Sequence, residues 1–217
     1  MMKKIIKDTL SLVVITIVAG ICLAFVHELT LDTIAGAEAA ERAASYREVF
    51  PEAADFIEME NFDEALASAS EGFAAGVSIG EALLAVDENG NILGCVVSAT
   101  SANGYGGDIV LSVGVDFSAT TTGVQRTITG VKVTSMSETS GLGSHCTDES
   151  FQDQFKGISG EVVYVKDGKT QPNEIDMISG ATFTSRAVTE AVNGALRFSH
   201  YATPWTCVIV GTGGEAE

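Results

Sequence analysis

The sequence predicts an α+β fold: a mainly antiparallel sheet flanked by helices, with one N-terminal transmembrane helix. Three observations predict it. Eighteen consecutive uncharged residues, Thr9 to Val26, lie near the start of the chain. Short apolar segments between residues 81 and 136 alternate with the period of a strand. From Arg186 to about Tyr201, Val188, Val192 and Leu196 recur at helical spacing beside Ala187, Ala191 and Ala195, a stripe suited to packing on a sheet.

The N-terminal run comes first. Eighteen residues at a helical rise of about 1.5 Å cover roughly 27 Å, the thickness of a hydrocarbon core. A cleaved signal peptide competes with this reading, because Ala35, Gly36 and Ala37 supply small residues. Such peptides use an apolar stretch of about seven to fifteen residues with the cleavage site close behind. The longer run and the distant small residues argue for a retained anchor over 9–28. Lys3, Lys4 and Lys7 precede it, so the positive-inside rule puts residues 1–8 in the cytoplasm. The chain is then a single-pass protein of the cell (inner) membrane, with everything after the anchor extracytoplasmic.

Residues 29–50 read as a helical stalk, rich in Ala and Glu from Glu38 to Val49 and stopped by Pro51. Residues 51–217 form one domain. Its first part, Asp55 to Gly80, is acidic with scattered aromatics and reads as loop and short helix. Glu81–Val86 and Ile92–Thr100 then flank an Asn-Gly turn, a strong hairpin cue. Ile109–Phe117 and Arg126–Met136 alternate across a Thr-rich loop. Glu161–Lys169 reads as a further strand ending in an Asp-Gly turn, and Asp148–Phe155 as a short helix.

Composition narrows the chemistry. The net charge of -17 makes nucleic acid a poor partner. Cys22, Cys95, Cys146 and Cys207 include no C-x-x-C pair, and His27, His145 and His200 are scattered, so no metal site is signalled. Cys95, on a strand, reads as a buried thiol. No G-x-S-x-G or Walker-type loop occurs.

Two Gly-rich loops carry what signal there is: Ser137–Ser144 (SETSGLGS) and Asp176–Ser185 (DMISGATFTS). Closely spaced glycines let backbone N–H groups approach a flat or anionic ligand. In the second loop Thr184 or Ser185 is placed to cap the helix expected from Arg186, whose N-terminus favours an anion. A phosphate near Thr182 suits that end, with Arg186 as counter-charge. An ordinary turn into a capped helix explains the same residues.

Asp176, Ser179, Gly180, Ala181 and Thr182 fit the pattern D-x-x-S/T-G-A-T. With Gly104–Ile109 (GYGGDI), the ETSGLG loop and YREVFP after the stalk, the chain resembles the FMN-binding family with covalent flavin. That family includes the G subunit of the Rnf electron-transport complex and its relative, the C subunit of the sodium-pumping NADH:quinone oxidoreductase. Ser140 stands where the family usually has proline. The resemblance implies covalent FMN, joined by a magnesium-dependent flavin transferase. The Thr182 hydroxyl attacks the pyrophosphate of FAD, AMP leaves, and FMN stays as a phosphoester. Asp176 belongs to the stretch the transferase reads, and Gly180 and Ala181 clear its approach. Ser179 is implied to bond the phosphate, and Glu138, Thr139, Gly141, Leu142 and Gly143 to border the ring. Residues 51–217 become an extracytoplasmic FMN-binding domain of an electron carrier. Its partners are other membrane subunits, in the Rnf case coupling ferredoxin oxidation and NAD reduction to ion translocation. The C subunit of the quinone reductase, or a membrane-anchored binding or assembly module without flavin, are the alternatives.

Overall fold

The computed structural model describes residues 2–121 and 123–202. The chain divides into two units, Met1–Glu41 and Arg42–Glu217. In the first, helix α1 (Met2–Val49) carries an apolar window, Leu12–Thr30, of 19 residues with mean hydropathy 2.4. By length and composition it is able to cross a membrane. The expected anchor and stalk are thus one continuous helix, which ends two residues before Pro51 as proline requires.

The second unit is built on a five-stranded antiparallel meander in the order β1-β2-β3-β4-β5. The strands are β1 (Asp55–Glu58), β2 (Val77–Val86), β3 (Ile92–Ser101), β4 (Ile109–Thr120) and β5 (Gly123–Ser135). The β2–β3 turn confirms the Asn-Gly cue. Asp87 Oδ1 accepts the N–H groups of Asn89 and Asn91, both at 2.8 Å, and Gly90 takes φ +81°. The expected Thr-rich loop is shorter than it reads, because β4 and β5 pair out to Thr120 and Gly123. Residues 55–80, expected as loop and short helix, contain β1, helix α2 (Phe62–Ser70) and the start of β2. β1 has only four residues, three of them exposed, and so lacked a legible alternation.

The strand expected over Glu161–Lys169 contracts to β6 (Val163–Val165). It pairs in parallel with β7 (Glu174–Asp176) as a separate two-stranded sheet. Val163 and Tyr164 are exposed, so no core holds a longer strand there. The short helix near 148–155 is α3 (Glu149–Gln152), with 3-10 turns at Gly143–Thr147 and Asp153–Phe155.

Helix α4 (Thr182–Ser199) buries the expected stripe: Val188, Val192 and Leu196 with Ala187, Ala191 and Ala195. They join Val97, Leu111, Val113 and Val115 in the main core, and the alanines let the helix lie close to the sheet. A second cluster unites Tyr46, Val49 and Phe50, at the end of α1, with Ala85 and Val96.

Cys95 and Cys146 are buried free thiols, as expected for Cys95; Cys207 lies outside the described residues. Burial, the largest cause, pushes Cys95 up to about 12, against a small opposing pull from Arg126. Burial and the Glu138 carboxylate push Cys146 up to about 11. Folded thiols therefore keep protons that unfolded thiols release above about 9. Their contribution to stability is complete below the unfolded value and is lost as pH rises toward the folded ones. Urea midpoints of the detergent-solubilised chain are expected to fall between pH 8.5 and 10.5, and to fall less after Cys95→Ala.

Candidate functional site

The site grows out of the path from β7 into α4. β7 ends at Asp176, whose backbone is held at both polar groups by one side chain. Its N–H donates to Gln154 Oε1 at 2.8 Å, and its carbonyl accepts from Gln154 Nε2 at 3.3 Å. The loop then bends at Gly180, φ +79°, the left-handed conformation in which a side chain is strained. Gly180→Val is expected to cost about 1–3 kcal/mol in chemical denaturation.

Helix α4 begins at Thr182, four residues before the expected start at Arg186, and Ala181 occupies the N-cap without a side-chain bond. Thr184 and Ser185 are consequently not caps but members of the first turn. Ser185 Oγ accepts the Ile178 N–H at 2.9 Å and donates to the Ala181 carbonyl at 3.0 Å, fastening the loop from inside. Thr184 Oγ1 donates to Glu138 Oε2 at 2.8 Å. Thr184 and Ser185 are 1% and 0% exposed, whereas Thr182 lies on the surface. Of the three hydroxyl-bearing residues in this turn, only Thr182 is exposed.

Beside it opens a cleft of about 470 Å³, a volume in the range of small-molecule sites. Its walls come from three separate parts of the chain. Gly180, Ala181, Thr182, Phe183 and Thr184 form one; Glu138, Thr139, Leu142 and Gly143 form the second; Tyr105 forms the third. The two Gly-rich loops therefore meet. Tyr105 and Phe183 approach with ring centroids 6.4 Å apart, and with Leu142 they give the cleft an exposed apolar rim. Neither aromatic was expected here from the sequence. Each is flanked by small or hydroxyl residues in a stretch already singled out, which was the available signal.

Four expected residues stand apart from the cleft lining. Ser179 is exposed next to Gly180. Asp176 is half-buried with Oδ1 out of solvent and without a hydrogen bond among the described residues. Gly141, φ +75°, shapes the turn, its N–H donating to Ser144 Oγ at 2.9 Å. That bond, with the Thr139 carbonyl accepting from Leu142 and Ser144, holds the loop that contains Ser140. Arg186, expected as counter-charge, lies 3.6 Å from Glu190 Oε1 and over the Phe183 ring at 5.4 Å, and it does not line the cleft. His145 pairs with Asp148 at 2.8 Å on the surface.

The cleft suits a flat, partly apolar ring attached through an anion. An aromatic and aliphatic rim borders one part, the polar backbone of the ETSGLG loop another. At the third, the N-terminus of an 18-residue helix presents first-turn N–H groups that have no intrahelical acceptor. Residues 104–197 match the FMN-binding domain family, and residues 1–49 match the RnfG N-terminal region.

The chain is 35% identical over 203 residues to the G subunit of the Na+-translocating ferredoxin:NAD+ oxidoreductase complex of Acetobacterium woodii, covering 90% of this chain and 91% of that one. It is 33% identical over 199 residues to the G subunit of the ion-translocating oxidoreductase complex of Methanosarcina acetivorans, covering 90% and 95%. The chain belongs to the RnfG family, the G subunits of ion-translocating oxidoreductase complexes. Among solved structures it is similar to the C subunit of the Na+-translocating NADH-quinone reductase of Parabacteroides distasonis, at 25% identity and TM-score 0.45, covering 57% of this chain and 62% of that one.

Proposed function

We propose that this chain is the FMN-carrying redox subunit of a membrane-bound, ion-translocating ferredoxin:NAD oxidoreductase of the Rnf type, with FMN esterified through its phosphate to Thr182. The observation that carries the reading is the exposed Thr182 hydroxyl at the cleft edge, at the head of α4, beside two hydroxyls that are buried and bonded. Attachment joins Thr182 Oγ1 to the FMN phosphorus of FAD, breaks the pyrophosphate bond, and releases AMP and a proton. The phosphodiester would keep one negative charge, on its non-bridging oxygens, and the helix dipole would favour it there by about 0.3–1 kcal/mol.

Bound FMN supplies reversible uptake of one or two electrons. The chain's own residues hold it. Tyr105, Leu142 and Phe183 would offer apolar faces to the ring and shield it from water, and the backbone of the Glu138–Gly143 loop would border its polar edge. Ser179, exposed next to Gly180, would bond the phosphate. Asp176, its backbone fixed by Gln154, supports the stretch read by a flavin transferase. Thr182 is a tether, and a covalent one suits a domain on the extracytoplasmic side, where lost cofactor is not readily replaced. The apolar window of α1 is the single membrane span, with residues 1–8 cytoplasmic, and packs against other subunits of the complex.

Co-expression of the full chain with a flavin transferase, followed by denaturing electrophoresis under ultraviolet light, tests the reading. A fluorescent band is expected. A dark band under conditions that label an authentic acceptor contradicts covalent attachment, and free FMN in the native protein then separates non-covalent binding from a membrane-anchored module without flavin.

A further inference from the structure

Glu138 enters the flavin reading only through its backbone, yet its side chain has a separate place in the site. Oε2 accepts the Thr184 hydroxyl at 2.8 Å, and Oε1 accepts the Gly106 N–H at 3.1 Å. Neighbouring glycines leave room for this carboxylate. A Cβ at Gly104 would lie 2.7 Å from Oε1, and one at Gly143 would meet Oε2 and come within 2.7 Å of Thr184 Oγ1. One carboxylate thus joins the turn between β3 and β4, the ETSGLG loop and the first turn of α4. That first turn has no side-chain cap of its own, so tertiary bonds from Thr184 and Ser185 hold it in place.

We propose that Glu138 is a positioning residue for flavin attachment: its carboxylate holds the Gly104–Gly107 turn and Thr184 together, so that the head of α4 presents Thr182, and not Thr184, at the cleft. The proposal rests on attachment at Thr182. The carboxylate works here by geometry. In Glu138→Gln the amide oxygen still accepts from Gly106, and the amide N–H donates to Thr184 Oγ1, so both ties persist with one reversed. In Glu138→Ala neither does.

The first arm of the test needs no flavin: hydrogen exchange of the full chain in detergent, produced without transferase. Glu138→Ala is expected to raise exchange on the order of tenfold in 104–107 and in 182–187, with the amides of β2, β3 and β4 unchanged. Glu138→Gln returns both segments toward the wild-type pattern. The second arm is the fraction of chain labelled at fixed transferase and time, which falls on the order of tenfold in Glu138→Ala and recovers in Glu138→Gln. Wild-type exchange at both segments in Glu138→Ala overturns the proposal. So does a uniform rise across the sheet, which marks a general structural role, or full labelling despite local opening. A wild-type chain that takes no label overturns the attachment reading on which the proposal rests, and the exchange arm shows separately whether the tie exists.

Discussion

Thr182→Ala is expected to remove all covalent flavin from the chain, with no transfer of the label to a neighbour. Phosphoester formation needs an accessible hydroxyl, and alanine has none to offer. Thr184 and Ser185 lie within the same turn but do not substitute. Thr184 is 1% exposed with its hydroxyl committed to Glu138, and Ser185 is fully buried between Ile178 and Ala181. The loss is all-or-none, far beyond what any change in affinity produces. Folding is expected to be unaffected, because Thr182 is exposed. In Thr184→Ala the label stays on Thr182, at lower yield if the tie to Glu138 acts as argued. A gel of the variants beside the wild type, with protein stain and fluorescence on the same lanes, reads these outcomes. Fluorescence surviving in Thr182→Ala moves the tether elsewhere.

The largest effect on stability is expected at Gly114, where the end of α1 rests on the sheet. Gly114 pairs with Gly130 across β4 and β5, and both face the backbone of Val49. A Cβ at Gly114 would meet the Val49 carbonyl oxygen and the Thr129 hydroxyl; one at Gly130 would lie 2.9 Å from Val49 Cα. Thr129 Oγ1 already donates to that carbonyl at 2.5 Å, and Ser45 and Ser112 share a hydrogen bond of 2.9 Å alongside. Backbone meets backbone here, so no flexible side chain yields to an added group. Gly114→Val is expected to destabilise the chain by about 3 kcal/mol. Gly80→Ala, whose added carbon meets nothing within 4 Å, is expected to change it by less than about 1 kcal/mol. Urea unfolding of the detergent-solubilised full chain measures both. Equal midpoints for Gly114→Val and wild type contradict the packing described.

The parts legible in the sequence were those governed by local pattern. Alternation along Val113, Val115 and their neighbours announced β4, an Asn-Gly pair announced the β2–β3 turn, and the Val188, Val192, Leu196 stripe announced the buried face of α4. β1 was hidden because four mostly exposed residues leave no period to count. The head of α4 was misplaced for a different reason. Thr184 and Ser185 have good capping side chains, and local rules favour them at the boundary. Tertiary bonds decided otherwise, from Glu138 across 46 positions of sequence and from Ile178 across seven. The two loops of the site could be named from their glycines, but their meeting could not, since nothing local brings residues 138–143 to residues 180–184. Tyr105 and Phe183 belong to that same non-local information. Arg186 shows the limit of charge counting: a lone cation near an expected anion was given to it, whereas Glu190 lies one turn further along the same helix.

The claim that Thr182 is the flavin tether is tested most directly by peptide mass spectrometry of the full chain purified after co-expression with a flavin transferase. The peptide containing DMISGATFTS is expected to carry one FMN through a phosphoester, with fragmentation assigning it to Thr182. An unmodified peptide, with FMN released intact by acid precipitation, or a label assigned to Thr184 or Ser185, would contradict the claim.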